Sequence, residues 1–127
     1  MQKMFVAFLF ILFSSSMHAQ TTSMPKSSKL RHVVLFKFKD GTSDANIKKV
    51  EAAFRGLPSK IKEIKAFEYG LNNSPENLNQ GFTHSFFLTF DSEEGRAIYL
   101  PHPAHKAFGD VLKPHLDKVL VIDYWTK

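Results

Sequence analysis

The sequence contains no cysteine, no apolar run long enough to span a bilayer and no dense cluster of like charges. Without cysteine the chain forms no disulfide, so we expect packing and association with a second copy to stabilise it. Its longest apolar run, Met4 to Phe13, falls well short of the roughly 20 residues that a membrane-spanning helix needs. The formal net charge of +5 is spread along 127 residues, which argues against nucleic acid as a partner.

The first residues have the layout of a secretory signal peptide. Lys3 precedes the apolar run, three small serines follow it, and Ala19 is a suitable cleavage residue. We therefore predict that residues 1–19 are removed, that Gln20 starts the mature chain, and that the protein is exported to the periplasm or secreted. A short membrane anchor or a buried helix is the alternative, and we expect no stable membrane insertion after cleavage. Residues 20–29 are polar and predict a disordered leader.

Residues 30–127 carry the pattern of one α/β domain. Alternating apolar residues predict strands at Leu30–Lys39 and Phe82–Phe90, because successive side chains of a strand point to opposite faces. A weaker strand is predicted at Ile64–Leu71, and a final one, rich in β-branched and aromatic residues, at Val119–Trp125.

Helical spacing separates these strands. Apolar residues recur every three or four positions across Ser43–Arg55, with Thr42 or Ser43 as the cap. Gly56 suits a left-handed residue just past the end of this helix. A second helical stretch begins at Ser92, is interrupted by Pro101 and Pro103, and continues through Lys113.

The predicted order β-α-β-β-α-β is typical of the ferredoxin-like α+β fold, in which both helices cover one face of a four-stranded antiparallel sheet. By strand parity, Val33, Leu35 and Phe87 lie on the other face. A monomer would leave this apolar face in contact with water, so we predict that a second copy covers it and that the two sheets form a barrel.

Three segments resemble the stress-responsive dimeric α/β-barrel (Dabb) family. They are the first strand from His32 to Lys39, the Y-x-x-H-P-x-H segment from Tyr99 to His105, and the closing pair Asp123-Tyr124. The resemblance extends from Leu30 to Tyr124, and it implies a dimeric α/β barrel. It does not by itself imply a reaction, because one fold hosts many functions.

The resemblance also implies roles for individual residues. One plant member of the family closes a linear polyketide thioester by aldol condensation, and its catalytic Tyr and His fall on Tyr99 and His105. Two histidines of its pocket fall on His32 and His84. Since acyl-thioester polyketides are made in the cytoplasm, an exported domain would act on another substrate.

The predicted topology places these side chains relative to one another. The first and last strands are antiparallel neighbours, which brings His32 close to Asp123, while His84 lies on the order of 15 Å from His32. We expect a group of His32, Asp123 and His105, with His84 and Tyr99 elsewhere along a cavity between sheet and helices. An imidazole base and a phenol donor suit lyase-like or cyclase-like chemistry on a small apolar carbonyl compound.

Other interpretations stay open. A histidine on an apolar strand face is often a core residue with one hydrogen-bond partner. His102 and His105 have a spacing that can hold a metal, but a third ligand is missing, so we predict no metal and no cofactor. The strand order of RNA-recognition modules is the same, although their signature is absent. The main alternative to an enzyme is a non-catalytic, stress-responsive structural or binding protein.

Overall fold

The computed structural model describes residues 28–127, so the predicted signal peptide and most of the predicted leader lie outside the described residues. The strands are β1 (Leu30–Phe38), β2 (Ala66–Leu71), β3 (His84–Phe90) and β4 (Leu116–Trp125). The helices are α1 (Asp44–Arg55), α2 (Glu93–Tyr99) and α3 (Pro103–Leu112), with a 3-10 turn at Leu57–Ser59. The predicted β-α-β-β-α-β order is confirmed, with the second helical stretch divided into two helices.

Local capping chemistry sets the helix boundaries. The Ser43 hydroxyl accepts a hydrogen bond from the backbone N–H of Asn46 at the start of α1, and Ser92 caps α2 through Gly95 in the same way. Pro103 occupies the first turn of α3, where its missing N–H costs nothing. The prediction of a left-handed Gly56 was wrong: its φ is −74°, because the chain turns directly into the 3-10 segment and buries Leu57.

The four strands form one antiparallel sheet in the order β2-β3-β1-β4. The inner face of β1 and β3 is buried under the helices, whereas β4 lies at an edge and is exposed along most of its length. Val119 and Val121 of β4 face the same side as the buried residues of β1, yet each is 49% exposed. The helices therefore leave an apolar strip uncovered along the inner face of β4.

An aromatic stack joins the helices to the sheet. The ring of Phe54 in α1 lies with its centroid 4.3 Å from that of Phe108 in α3 and 4.5 Å from that of Phe86 in β3. Phe36 of β1 contacts the same group. The side chains that form the core around this stack are Leu30, Val34, Phe36, Phe38, Val50, Phe54, Leu57, Ile61, Ile64, Phe86, Leu88, Phe90, Tyr99, Phe108 and Leu112.

The outer face of the sheet carries the apolar residues that strand parity predicted. Val33 pairs with Phe87 across β1 and β3, and with Ile122 across β1 and β4. Leu120 and Ile122 are 40% and 52% exposed. No helix of residues 28–127 is long and apolar enough to cross a membrane.

Candidate functional site

His32 and Asp123 are bound to each other. They are direct partners in the register between β1 and β4, and His32 Nδ1 lies 2.7 Å from Asp123 Oδ1. The proximity predicted from the strand order is therefore observed. His32 is only 5% exposed, and a neutral ring that donates Nδ1–H to the carboxylate keeps its lone pair on Nε2.

Arg96 holds the other oxygen of the same carboxylate. Its Nη1 lies 2.6 Å from Asp123 Oδ2, which links α2 to β4. The sequence reasoning did not include Arg96. A signal was nevertheless present, because Arg96 precedes Tyr99 by three residues, a spacing that places two side chains on one face of a helix.

The rings of Tyr99 and His105 contact each other at a tilt of 36° beside this pair. Their ring centroids are 4.3 Å apart, and the Tyr99 ring is 5.7 Å from that of His32. We expected Tyr99 to lie away from the group of His32, Asp123 and His105, and that expectation was wrong. Helix α2 ends at Tyr99 and α3 begins at Pro103, and this short connection brings His105, in the first turn of α3, against the tyrosine ring.

A backbone contact fixes the tautomer of His105. Its Nδ1 lies 2.9 Å from the carbonyl oxygen of Leu100, and a carbonyl oxygen only accepts hydrogen bonds, so Nδ1 carries the proton. In the neutral ring, the lone pair then resides on Nε2. His105 is held by the turn in a form that can take up a proton at one defined atom.

Burial sets the protonation states of the inner residues. It lowers the pKa of His32 below its ordinary value of 6.5, and the positive charge of Arg96, joined by that of His105 whenever His105 is protonated, acts in the same direction. The hydrogen bond and the charge of Asp123 oppose this shift without cancelling it. Burial, assisted by the charge of Asp123, raises the pKa of Tyr99. At neutral pH the site thus holds a neutral imidazole and a protonated phenol.

His84 does not join this cluster. It pairs with Phe36 four positions along β1 from His32, about 13 Å away at roughly 3.3 Å per residue. Its Nε2 lies 3.0 Å from Glu51 Oε1 and its Nδ1 lies 2.9 Å from Thr83 Oγ1. Sequence reasoning did not single out Glu51. The predicted separation of the two strand histidines is observed, and the binding role of His84 stays a prediction.

His102 acts as a helix cap. Its Nδ1 accepts a hydrogen bond of 3.1 Å from the backbone N–H of Ala104 at the start of α3. This contact gives His102 a structural role at the start of α3. Residues 28–127 contain no group of three or more His, Cys, Asp or Glu side chains placed to hold a metal ion.

Surface grooves lie elsewhere on the domain. One of about 420 Å³ is lined by β2, by the loop between β2 and β3, by the predicted pocket residue His84 and by the outer-face residues Leu35 and Phe87. Two others measure about 380 and 370 Å³. None of these three grooves on residues 28–127 is lined by Tyr99 or His105. The cavity beside His105 therefore stays a prediction, as do the catalytic roles of these two residues.

The family of the chain follows from its whole domain. Residues 30–126 match the family described as the stress responsive A/B barrel domain, Dabb. The chain belongs to the Dabb family. The match covers all four strands and all three helices, so the resemblance seen in separate sequence segments extends to the complete fold.

Two curated proteins are similar to this Dabb chain over most of their length. The stress-response A/B barrel domain-containing protein HS1 of Arabidopsis thaliana is 46% identical over 95 residues, which are 75% of this chain and 87% of that protein. Olivetolic acid cyclase of Cannabis sativa is 33% identical over 95 residues, which are 75% of this chain and 94% of the cyclase.

Solved structures share the fold. Hydroxynitrile lyase from Passiflora edulis superposes with a TM-score of 0.73 at 26% identity, covering 78% of this chain and 94% of the lyase. A dimeric protein of unknown function with a ferredoxin-like fold, from Bacteroides fragilis, has a TM-score of 0.64 at 28% identity, covering 77% and 96%. The ferredoxin-like α+β class predicted from the element order is confirmed, and its structural neighbours include dimers.

Proposed function

We propose that this Dabb protein binds a small apolar carbonyl compound beside His105 and acts on it by acid-base chemistry. The observation that carries the proposal is the hydrogen bond from His105 Nδ1–H to the carbonyl of Leu100, which leaves Nε2 as the base. The phenol of Tyr99, whose ring packs against this imidazole, is protonated and is a suitable donor to an oxygen that gains negative charge.

The uncovered inner strip of β4 supports a binding site at this place. Val119 and Val121 are half exposed on the face that Asp123 and His32 share, so an apolar molecule can lie on β4 next to the cluster. The cyclase and the lyase among the relatives support chemistry of this class. In the proposed step, Nε2 of His105 takes a proton from the carbon next to the carbonyl. The electron pair of that C–H bond forms the new C=C bond, and the π pair of the C=O bond moves onto oxygen to give the enolate.

Deuterium exchange tests the proposed step. Acetophenone is incubated with the protein in D₂O, and the loss of its methyl proton signal is followed by NMR. We expect exchange above the buffer rate, and a fall of about 10²-fold or more in His105→Gln, as is usual for loss of a general base. His115→Gln is the matched control, because His115 lies beyond the end of α3, in the turn before β4, and should keep the parental rate.

A non-catalytic binding or structural role is the second candidate. The observation that favours it is the complete burial of Tyr99, which is 0% exposed, since a packed phenol also serves as a core residue. If His105→Gln changes acetophenone binding in a chemical-shift titration but the parent shows no exchange, the protein is a binding protein. If the parent neither binds nor exchanges the probe, the carbonyl proposal is wrong.

We also propose that the chain forms a homodimer through the outer sheet face, supported by the exposed Leu120 and Ile122 and by dimeric neighbours. Export through residues 1–19 is a further part of the proposal, based on the sequence alone. N-terminal sequencing of protein recovered outside the cytoplasm tests it. A chain that starts at Gln20 supports cleavage, and an intact Met1 contradicts it.

A further inference from the structure

The Asp123 carboxylate is shared between two elements of the fold. Oδ1 accepts from His32 Nδ1 at 2.7 Å, while Oδ2 accepts from Arg96 Nη1 at 2.6 Å. About three quarters of each side chain of the Arg96–Asp123 pair is shielded from water. The carboxylate therefore has one fixed partner per oxygen, and its orientation toward His32 depends on the guanidinium.

We propose that Arg96 is a positioning residue that holds Asp123, and through it keeps His32 protonated on Nδ1 with the lone pair on Nε2. The ring of His32 is hydrogen-bonded to Asp123 and lies 5.7 Å from the ring of Tyr99, which contacts His105. Fixing its tautomer therefore fixes which of its nitrogens carries the proton and which carries the lone pair beside the cluster. That this cluster acts on a ligand rests on the proposed function; the effect of Arg96 on His32 does not.

The position of Asp123 explains why a second partner is needed. Asp123 lies on β4, an edge strand that the helices leave largely uncovered. A carboxylate at such an edge can rotate toward water and lose its imidazole partner. Arg96 approaches from α2 with a planar group whose several N–H donors hold a carboxylate in one plane, and so it limits that rotation.

The charge of Arg96 acts on the same ring. Asp123 from β4, Arg96 and Tyr99 from α2, and His105 from α3 are the titratable or charged groups that face His32. Burial and the charge of Arg96, with that of His105 when it is protonated, lower the pKa of His32, while Asp123 raises it. Without Arg96, the negative charge of Asp123 is no longer offset by the guanidinium, so the pKa of His32 should rise toward its ordinary value.

An NMR titration of the full chain labelled with ¹⁵N tests this inference without any ligand. The imidazole nitrogen shifts of His32 report its tautomer, and their pH dependence reports its titration midpoint. In Arg96→Met, which keeps the aliphatic stem, we expect the midpoint to move upward and the Nε2–H tautomer to become populated. In Arg96→Lys, which restores a charged donor, both readouts should return toward those of the parent.

Arg55→Met is the matched control, because Arg55 lies on α1 over the ring of Tyr69 and should leave His32 unchanged. If Arg96→Met does not fold, Arg96→Gln replaces it with the same two readouts. Parental tautomer and midpoint in the uncharged Arg96 variants would reduce Arg96 to a surface ion pair and overturn the inference. Acetophenone exchange is scored separately, so a failure of the carbonyl proposal leaves this result intact.

Discussion

Replacing Asp123 by asparagine tests the cluster with a change of one heavy atom. The carboxylate accepts from two donors, His32 Nδ1–H and Arg96 Nη1–H. A carboxamide of the same shape has only one oxygen, so its NH₂ group faces one of these donors. His32 can satisfy the amide only by turning its lone pair to Nδ1, which places the proton on Nε2.

The expected loss of stability follows from the bonds that are replaced. Hydrogen bonds to charged groups contribute about 1.5–3 kcal/mol each, and one of the two survives in the asparagine variant. Asp123 keeps about a quarter of its side chain exposed, which reduces the loss through solvent screening to about 1–2 kcal/mol. For a domain of about 100 residues this corresponds to a fall in Tm of about 5–15 °C.

Thermal unfolding followed by circular dichroism at fixed protein concentration measures the change. The control is Asp117→Asn, which breaks the exposed ion pair with Lys37 at 2.9 Å and should change the stability by no more than about 0.5 kcal/mol. The ¹⁵N spectrum of Asp123→Asn should show His32 protonated on Nε2. Equal melting of the two variants, with an unchanged His32 tautomer, would refute the proposed network.

Three further predictions concern other parts of the molecule. Because the pKa of His32 is lowered in the folded domain, the unfolded chain binds a proton on His32 first as the pH falls below about 6.5. The free energy of unfolding, measured by chemical denaturation, should therefore fall from that pH down to the pKa of His32 in the folded domain. His32→Gln should remove this contribution. Phe87→Asp places a charge on the outer face, so light scattering should report a monomer, whereas Glu76→Lys in the exposed loop should stay dimeric; a dimeric Phe87 variant contradicts the proposed interface. Glu51→Gln leaves the buried His84 without its anionic partner and should cost about 1–3 kcal/mol while acetophenone exchange stays parental; a loss of exchange would bring His84 into the site.

Most helix boundaries could be predicted from interactions between neighbouring residues. The starts of α1 and α2 are visible in the sequence because the hydroxyls of Ser43 and Ser92 accept hydrogen bonds from backbone N–H groups of the first turn. The start of α3 is visible because Pro103 has no N–H group that would need a partner there. Gly56 shows where local chemistry fails. Its usual left-handed role was not realised, because the burial of Leu57 in the core selected a continuing turn.

Some contacts of the candidate site could be predicted from the sequence, and others could not. Strand order alone brought His32 to Asp123 and separated both from His84, since antiparallel pairing fixes distances along strands. Sequence reasoning did not reveal that Tyr99 joins the cluster, that Arg96 takes the second carboxylate oxygen, or that Glu51 pairs with His84. These contacts depend on the angle at which one helix returns after a turn and on which side chains meet between layers.

By itself, the sequence determined the element order and the two faces of the sheet, because alternation and helical spacing are properties of neighbouring residues. The Dabb family was indicated separately, by the resemblance of its motif residues. Only the tertiary structure decided that His105 donates Nδ1–H to Leu100 and keeps its lone pair on Nε2. Only it showed that the helices leave the inner face of β4 uncovered. Both depend on how separate elements pack against one another, and packing is set by the shapes of many side chains at once rather than by the spacing of a few.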